Sequence, residues 1–142
     1  MRLAALLLCL ATSASADGWT QPARGTDLRA DLLDAIRPKI EWTVGGPVEF
    51  VVWDLRVTET AAFASLMAQH PGGGVIDLYQ TPGARRGEID PDVGDGATVQ
   101  ALLTLSGRTW VAVHVGINST DAWWHYEDFC PIWHEVIPEA CP

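Results

Sequence analysis

Residues 26–44 read TDLRADLLDAIRPKIEWTV, and the spacing of their apolar side chains predicts an amphipathic helix. The apolar residues that recur at every fourth position are Leu28, Leu32, Ile36 and Ile40. Thr26 is suited to cap the helix N-terminus, because its hydroxyl can accept a backbone N–H. Pro38 has no N–H to donate to the carbonyl of Asp34, so we expect it to kink or split the helix. Gly45-Gly46-Pro47 is expected to end it.

Strands are predicted for much of the chain that follows. Residues 48–57 are rich in β-branched and aromatic side chains, and residues 62–69 could return as their hairpin partner. The clearest hairpin consists of residues 99–105 and 109–117, which Ser106-Gly107-Arg108 joins. A helix followed by antiparallel strands is typical of α+β proteins. We therefore expect an N-terminal amphipathic helix packed on one face of a curved antiparallel sheet of about four strands.

The connecting segments carry weaker signals. Residues 75–79 are compatible with a short strand or an extended segment. Residues 80–97 are rich in Pro, Gly and acidic side chains, which predicts a long surface loop. Residues 121–129 are compatible with a short helix.

Alternation along the strands separates two faces of the expected sheet. The side chains expected under the helix are Val51, Trp53, Leu55, Val57, Val111, Val113, Val115 and Ile117. Those expected on the second face are Phe50, Val52, Asp54, Arg56, Trp110, Ala112, His114 and Gly116. The second face mixes aromatic, charged and small side chains, so we expect a functional site there.

The N-terminus has the three parts of a secretory signal peptide. Met1-Arg2 is positively charged, residues 3–11 are apolar, and Ala14-Ser15-Ala16 is a small-x-small cleavage site. Cleavage after residue 16 would leave residues 17–142 as a single domain. No second apolar run approaches membrane length, so we expect no membrane insertion after cleavage and a periplasmic or secreted location.

Two cysteines remain after the predicted cleavage, Cys130 and Cys141, which fits one disulfide in an oxidising compartment. Closing this loop would contribute about 2.5–3 kcal/mol through the lost entropy of the unfolded chain. A redox pair usually has two residues between its cysteines, whereas ten separate these two. We therefore predict a structural disulfide that holds the C-terminal tail.

The charge balance limits the classes of partner. The chain has 9 basic and 18 acidic residues and a net charge of −9, and Arg85-Arg86 is its only basic pair. Such a chain would repel phosphate backbones, so nucleic acid is not expected as a partner. The acidity permits a cationic partner, although it also serves solubility.

Sequence motifs for catalysis and cofactors are missing. The chain contains no G-x-S-x-G, no G-x-G-x-x-G and no Walker loop, so no cofactor is predicted. Two sets of side chains are candidate metal ligands. Calcium could be bound by Asp90, Asp92 and Asp95. Zinc could be bound by members of a second set, His125, Glu127, Asp128, His134 and Glu135. The first set departs from the EF-hand spacing and the second lacks H-E-x-x-H. Both fit a solvated acidic surface better, so no metal is predicted.

Several short runs resemble a known family. They are residues 33–38 (LDAIRP), 46–52 (GPVEFVV), 71–73 (PGG), 101–103 (ALL) and the pattern Thr120-Asp121-x-Trp123. The chain is similar in these runs to an uncharacterised family of small secreted bacterial proteins, which implies no activity and no functional residues. The order of elements also resembles cystatin-like and NTF2-like α+β domains, which host enzymes, inhibitors and binding proteins alike.

Tryptophan is unusually frequent, with seven residues in the chain. Trp42 and Trp53 are expected in the core. Trp123 and Trp124 are neighbours and point in different directions on any regular element, so at least one of them could join Tyr126 and Trp133 in an exposed aromatic patch. The alternative is that these side chains pack on the second face against Trp110 and close it.

Two functional hypotheses follow. The first is a periplasmic or secreted, non-catalytic binding module that contacts a protein partner or a small ligand, possibly cationic, through an aromatic surface. Its expected binding residues are Asp54, Arg56, Trp110, His114, Trp123, Trp124, Tyr126 and Trp133. The alternative is a small enzyme or ligand carrier with a pocket around Asp54, Arg56, Trp110 and His114. In that case Asp54 would orient His114 as a general base. A structural envelope protein that self-associates is a third possibility.

Overall fold

The computed structural model describes residues 18–142, and its first element is a long helix. Helix α1 spans Asp27–Val44, with the Thr26 hydroxyl accepting the Arg29 N–H at its start. It ends at Gly45, whose φ of 85° is left-handed and whose N–H donates to the Glu41 carbonyl at 2.8 Å. The helix is continuous through Pro38, so the expected split does not occur. The predicted signal peptide, residues 1–16, lies outside the described residues.

Four antiparallel strands follow α1. They are β1 (Glu49–Val57), β2 (Ala61–Gln69), β3 (Thr98–Ser106) and β4 (Thr109–Ile117). Each strand pairs with the next in sequence, giving the order β1-β2-β3-β4. The sheet is therefore open, with β1 and β4 at its two edges. The prediction of an α+β fold, with a helix on an antiparallel sheet of about four strands, is confirmed.

The segment between β2 and β3 is more ordered than a surface loop. Its residues 75–79 do not form a strand, and a 3-10 turn at Leu78–Gln80 leads into the short helix α2, Pro82–Arg85. Ile76, Leu78 and Ile89 are buried, because they extend the core beneath α1. The expectation of a surface loop over residues 80–97 is therefore wrong in part.

The core under α1 is made of aliphatic side chains. Leu32, Ile36 and Ile40 are fully buried on the inner face of the helix. The strand residues that meet them include Leu55, Val57, Ala62, Ala64, Leu66, Val99, Ala101 and Leu103. Among the strands, β4 is the one that the backbone of α1 approaches most closely. We call this side of the sheet the helix face.

A β-bulge in each edge strand changes which side chains lie on the helix face. The register shifts at Trp53 in β1 and at Val113 in β4, where one extra residue enters the strand. Because side chains alternate, the residues before each bulge lie on the opposite face from the one expected. Phe50, Val52, Trp110 and Ala112 pack on the helix face, whereas Val51, Trp53, Val111 and Val113 are exposed. The predictions for these eight residues are wrong, and those for the residues after each bulge are correct.

The C-terminal segment covers part of the second face. Residues 121–129 form two 3-10 turns, Trp123–His125 and Glu127–Phe129, in place of the expected helix, and α3 follows at Cys130–Trp133. Trp133, Val136 and Ile137 are buried against Phe63 and other apolar side chains of β2 and β3. The predicted disulfide between Cys130 and Cys141 is confirmed. No helix in residues 18–142 has the length and apolar character needed to cross a membrane.

Candidate functional site

One row of side chains crosses the second face from edge to edge. Arg56, Phe63, Leu102 and His114 are successive cross-strand neighbours on β1, β2, β3 and β4. Neighbouring strands are about 4.8 Å apart, so Arg56 and His114 are separated by roughly 14 Å. Two apolar side chains lie between them. The row therefore joins the two edges of the sheet without bringing its polar ends into contact.

The four residues of the alternative pocket do not converge. Asp54 and Arg56 lie on β1, and His114 lies on β4, at the other edge of the sheet. Trp110 packs on the helix face, because of the bulge at Val113. Asp54 is therefore not placed to orient His114, and the expected pocket around these four side chains is not formed.

Arg56 joins β1 to the C-terminal segment. Its Nη2 lies 2.7 Å from an Asp54 carboxylate oxygen, and its Nη1 donates to the Glu139 carboxylate at 2.8 Å and to the Val136 carbonyl at 3.0 Å. The guanidinium also stacks on the Trp19 ring, 5.0 Å from its centroid. The N–H donors of Arg56 therefore bind groups of the same chain. We call Arg56 with Asp54, Glu139 and the Val136 carbonyl the clamp, because it holds the C-terminal segment to β1.

The pKa values of the clamp follow from these contacts. Burial of Arg56 disfavours its charged form, but hydrogen bonds to Glu139 and Asp54 outweigh this effect and raise the pKa of the guanidinium. Burial likewise acts to raise the pKa of Glu139, but hydrogen bonds from its own backbone N–H and from Arg56 leave that pKa below its usual value. Both shifts favour the charged forms, so the ion pair persists at neutral pH.

Six rings form a continuous cluster on the second face. Phe63 contacts Trp124, Trp124 contacts Trp123, and their ring centroids are 5.8 and 6.0 Å apart. Phe129 contacts Trp123 at 5.7 Å and His114 at 4.8 Å. The aromatic cluster consists of Phe63, His114, Trp123, Trp124, Phe129 and Trp133. Most of its contacts are steeply tilted or edge-to-face, the arrangement that aromatic pairs prefer.

The cluster is buried at one side and open at the other. Trp133 is only 3% exposed, and its Nε1 donates to the Leu103 carbonyl at 2.8 Å. Trp123, Trp124 and Phe129 are half-buried, and His114 is exposed. Tyr126, between the two 3-10 turns, is 63% exposed. The expected exposure of Trp133 is therefore wrong, and so is the expected packing of these side chains against Trp110, which lies on the helix face. Trp123, Trp124 and Phe129 pack on the second face and remain partly accessible.

A groove of about 440 Å³ runs beside the open part of the cluster, along the edge of β4. Its polar and aromatic lining consists of His114, Ser119, Asp121 and Trp123. Trp123 packs so closely over Gly116 that a Cβ at this position would lie 2.5 Å from the indole Nε1. Glycine at 116 is therefore required for the indole to reach the sheet.

Three buried polar side-chain atoms at this end of the second face have no hydrogen-bond partner among residues 18–142. They are Nε1 of Trp123, Oε1 of Gln100 and Oγ1 of Thr98. Gln100 is more than nine-tenths buried and is the cross-strand neighbour of Gly116, over which Trp123 packs. All three atoms are closed to solvent, so they lie beneath the groove and not on its surface.

The two sets weighed as metal ligands do not assemble within residues 18–142, where no three His, Cys, Asp or Glu side chains form a metal-binding group. In the acidic loop, Asp90 accepts the Asp92 N–H, and Asp92 accepts the Tyr79 hydroxyl at 2.7 Å. These carboxylates therefore support the loop itself.

Comparison of the chain with protein-family models, with characterised proteins and with solved structures finds no match in any of the three. The resemblance to small secreted bacterial proteins stays a prediction.

Several side chains of the site carried no signal that stood out in the sequence. Phe63 and Phe129 join the aromatic cluster only because β2 and the C-terminal segment meet on the second face. Asp121 lines the groove beside β4, but the run Thr120-Asp121-x-Trp123 does not by itself indicate a groove. Gly116 was predicted on the second face, where it lies, but its close contact with the Trp123 indole depends on tertiary packing.

Proposed function

We propose that the mature chain is an exported, non-catalytic binding module that contacts a partner through its aromatic surface. This surface consists of His114, Trp123, Trp124, Tyr126 and Phe129. The observation that carries the proposal is the accessible half of the aromatic cluster, which lies beside a groove. Aromatic side chains held in place anchor binding well, because they bury a large area and lose little conformational entropy.

Three features support a rigid surface of this kind. Trp123 is seated on Gly116, Trp124 contacts Phe63 in β2, and the segment that carries them leads into the disulfide at Cys130. A surface that is ordered before binding loses less entropy when the partner docks. This favours recognition of a protein segment or a small ligand.

The separation of titratable groups favours binding over catalysis. A general base works when a second group orients it and the substrate proton is within hydrogen-bond reach. His114 instead contacts the rings of Phe129 and Trp133, and Asp54, the carboxylate expected to orient it, pairs with Arg56 at the other edge of the sheet. A hydrophobic aromatic environment suits His114 as a contact residue.

The disulfide supports the proposed location. Disulfides persist in the periplasm and outside the cell, whereas cytosolic thiols are kept reduced. The Cys130–Cys141 bond is thus consistent with the predicted signal peptide and with export. A partner would then be another exported or envelope component.

Affinity capture tests the proposal with a matched pair of variants. Tyr126 and Trp42 are 63% and 64% exposed, and Trp42 lies on α1, away from the aromatic surface. Oxidised protein comprising residues 17–142 would be immobilised, and partners from the producing cell's envelope extract quantified by mass spectrometry. We expect Tyr126→Ala to lower recovery of a specific partner at least about tenfold, which corresponds to a binding hot spot. Trp42→Ala should leave recovery unchanged.

Trp124→Ala extends the test to the half-buried part of the surface. Its near-ultraviolet circular dichroism would first establish that the fold is retained. Equal recovery of every component by wild type, Tyr126→Ala and Trp124→Ala would contradict the proposed function.

A further inference from the structure

We propose that the aromatic surface receives an extended, basic segment of the partner polypeptide, which adds to the open edge of β4 as a fifth strand. This inference rests on the proposed binding function and names the class of partner. It combines an open strand edge, two neighbouring grooves beside it, the acidic side chains that line them and the indole ring of Trp123.

The main chain of β4 offers hydrogen-bonding groups at its outer edge. Asn118 N–H donates to the Thr98 carbonyl of β3 at 3.0 Å, and alternate residues of an antiparallel strand point their main-chain groups to the same side. The groups of Gly116 therefore also face β3, and those of Val115 and Ile117 point outward. Within residues 18–142 no strand pairs with this edge. An added strand would bond to these outward groups.

The space beside this edge is long enough for an extended segment. The groove of about 440 Å³ includes Val113 and Val115, and a second groove of about 380 Å³ includes Ile117. Both grooves are lined by Ser119 and Asp121, so they are neighbours along β4, and we call the two together the trough. The trough follows the strand from its bulge to its end.

The trough carries negative charge. Asp90 and Asp121 line it, and none of the Lys and Arg residues within 18–142 does. Glu88 also lines it, but Arg86 pairs with this carboxylate at 2.7 Å and lowers its pKa, with a smaller contribution from Lys39. Charge complementarity therefore favours Lys or Arg side chains near Asp121.

The indole of Trp123 supplies an aromatic contact. Its half-buried ring lines one groove, while its Nε1 is buried over Gly116. A cationic side chain of the peptide would face the ring and Asp121.

The opposite edge of the sheet differs in its cover and in the charges beside it. On β1, the N–H and carbonyl of Val57 both bond to Thr20 at 2.9 Å, so the chain covers part of that edge itself. The groove beside β1 is lined by charges of both signs, Arg24, Arg29 and Arg37 with Asp27 and Asp34, and Arg37 pairs with Asp34 at 3.1 Å. A second copy of the chain could in principle pair its β1 edge with β4, but each copy carries a net charge of −9, which opposes association. A separate basic polypeptide is the better occupant.

A library of random octapeptides displayed on phage, selected on biotinylated oxidised protein, tests the inference. We expect the enriched peptides to contain more Lys and Arg and less Pro than the unselected library. One enriched peptide would be synthesised with a fluorescent label, and its Kd measured by fluorescence anisotropy. Two further versions would carry N-methyl groups on odd or on even amides, because these remove alternate backbone donors. At least one version should bind about tenfold more weakly.

Three protein variants locate the peptide. Trp123→Ala removes the ring that lines the groove, so we expect a loss of about tenfold in affinity. Asp121→Asn should weaken binding about two- to fivefold at low salt, and less at high salt. Asp31→Asn, an exposed position on α1, is the matched control and should bind like wild type.

The possible outcomes separate this inference from the proposed function. If no peptide is enriched, if the enriched peptides show no basic bias, or if neither N-methylated version binds more weakly, the strand-addition inference is overturned. In each of these cases the proposed function still stands when Tyr126→Ala abolishes partner capture. If sedimentation shows concentration-dependent association that Asp121→Asn abolishes, a second copy occupies the edge, and the inference is also overturned.

Discussion

The two faces of the sheet are covered in different ways. The helix face is covered by α1, an 18-residue helix that satisfies most of its own backbone hydrogen bonds and packs Leu32, Ile36 and Ile40 into the core. The second face is covered by 3-10 turns and a four-residue helix, which are too short to be stable alone. A disulfide and the Arg56 clamp hold this C-terminal segment in place. The helix face is therefore stabilised by burial of apolar side chains, whereas the cover of the second face depends on specific crosslinks.

The largest expected effect lies on the helix face. Ile36→Ala removes a fully buried side chain and leaves a cavity, so the free energy of unfolding should fall by about 3–4 kcal/mol. Ile132→Ala, the same type of change at an exposed position of α3, should cost less than about 0.5 kcal/mol. Urea denaturation of the oxidised proteins measures both. Similar losses in the two variants would remove the distinction between the faces.

The next effect concerns the disulfide. Replacing Cys130 and Cys141 by Ser should lower the free energy of unfolding by about 2.5–3 kcal/mol, because the unfolded chain gains entropy. Hydrogen exchange should show the earliest loss of protection in residues 123–141 and retained protection in α1. A uniform loss of protection in both regions would mean that α1 and the C-terminal segment unfold as one unit.

Removal of the clamp should have a smaller effect. Arg56→Met keeps the apolar stem but leaves Asp54 and Glu139 without their cation, so we expect a loss of about 2 kcal/mol. Arg108→Met, in the exposed β3–β4 turn, is the control. Thermal unfolding followed by tryptophan fluorescence compares them. An unchanged midpoint in Arg56→Met would show that the disulfide alone holds the C-terminal segment.

The smallest effect is a pH dependence. The pKa of Glu139 is lowered in the folded state, so its contribution is present above the unfolded value of 4.5 and is lost as pH falls through the folded pKa. Its side chain is 42% exposed, which limits the contribution to about 0.5–1 kcal/mol. Wild type should exceed Glu139→Gln in stability at pH 6.5, and the difference should disappear near pH 3. A difference that persists at pH 3 would assign the stabilisation to packing.

Only part of the candidate functional site could be predicted from the sequence. Trp123, Trp124 and Tyr126 stood out by residue type, and the structure packs the two tryptophans on the second face and leaves Tyr126 exposed. The prediction that Asp54 orients His114 was wrong, because it required β1 and β4 to be neighbouring strands. Strand order depends on which hairpins stack side by side, and the periodicity of a single strand carries no such information.

Local patterns were sufficient for α1, the two hairpins and the Cys130–Cys141 bond, since each depends on residues close in sequence or on a single possible pairing. The assignment of faces in β1 and β4 required the tertiary structure. A bulge arises where twist and packing of the whole sheet favour one extra residue, and it moves every earlier side chain to the other face. The exposure of Trp42 and Trp53, and the meeting of Phe63 with Trp124, have the same origin in contacts between distant segments.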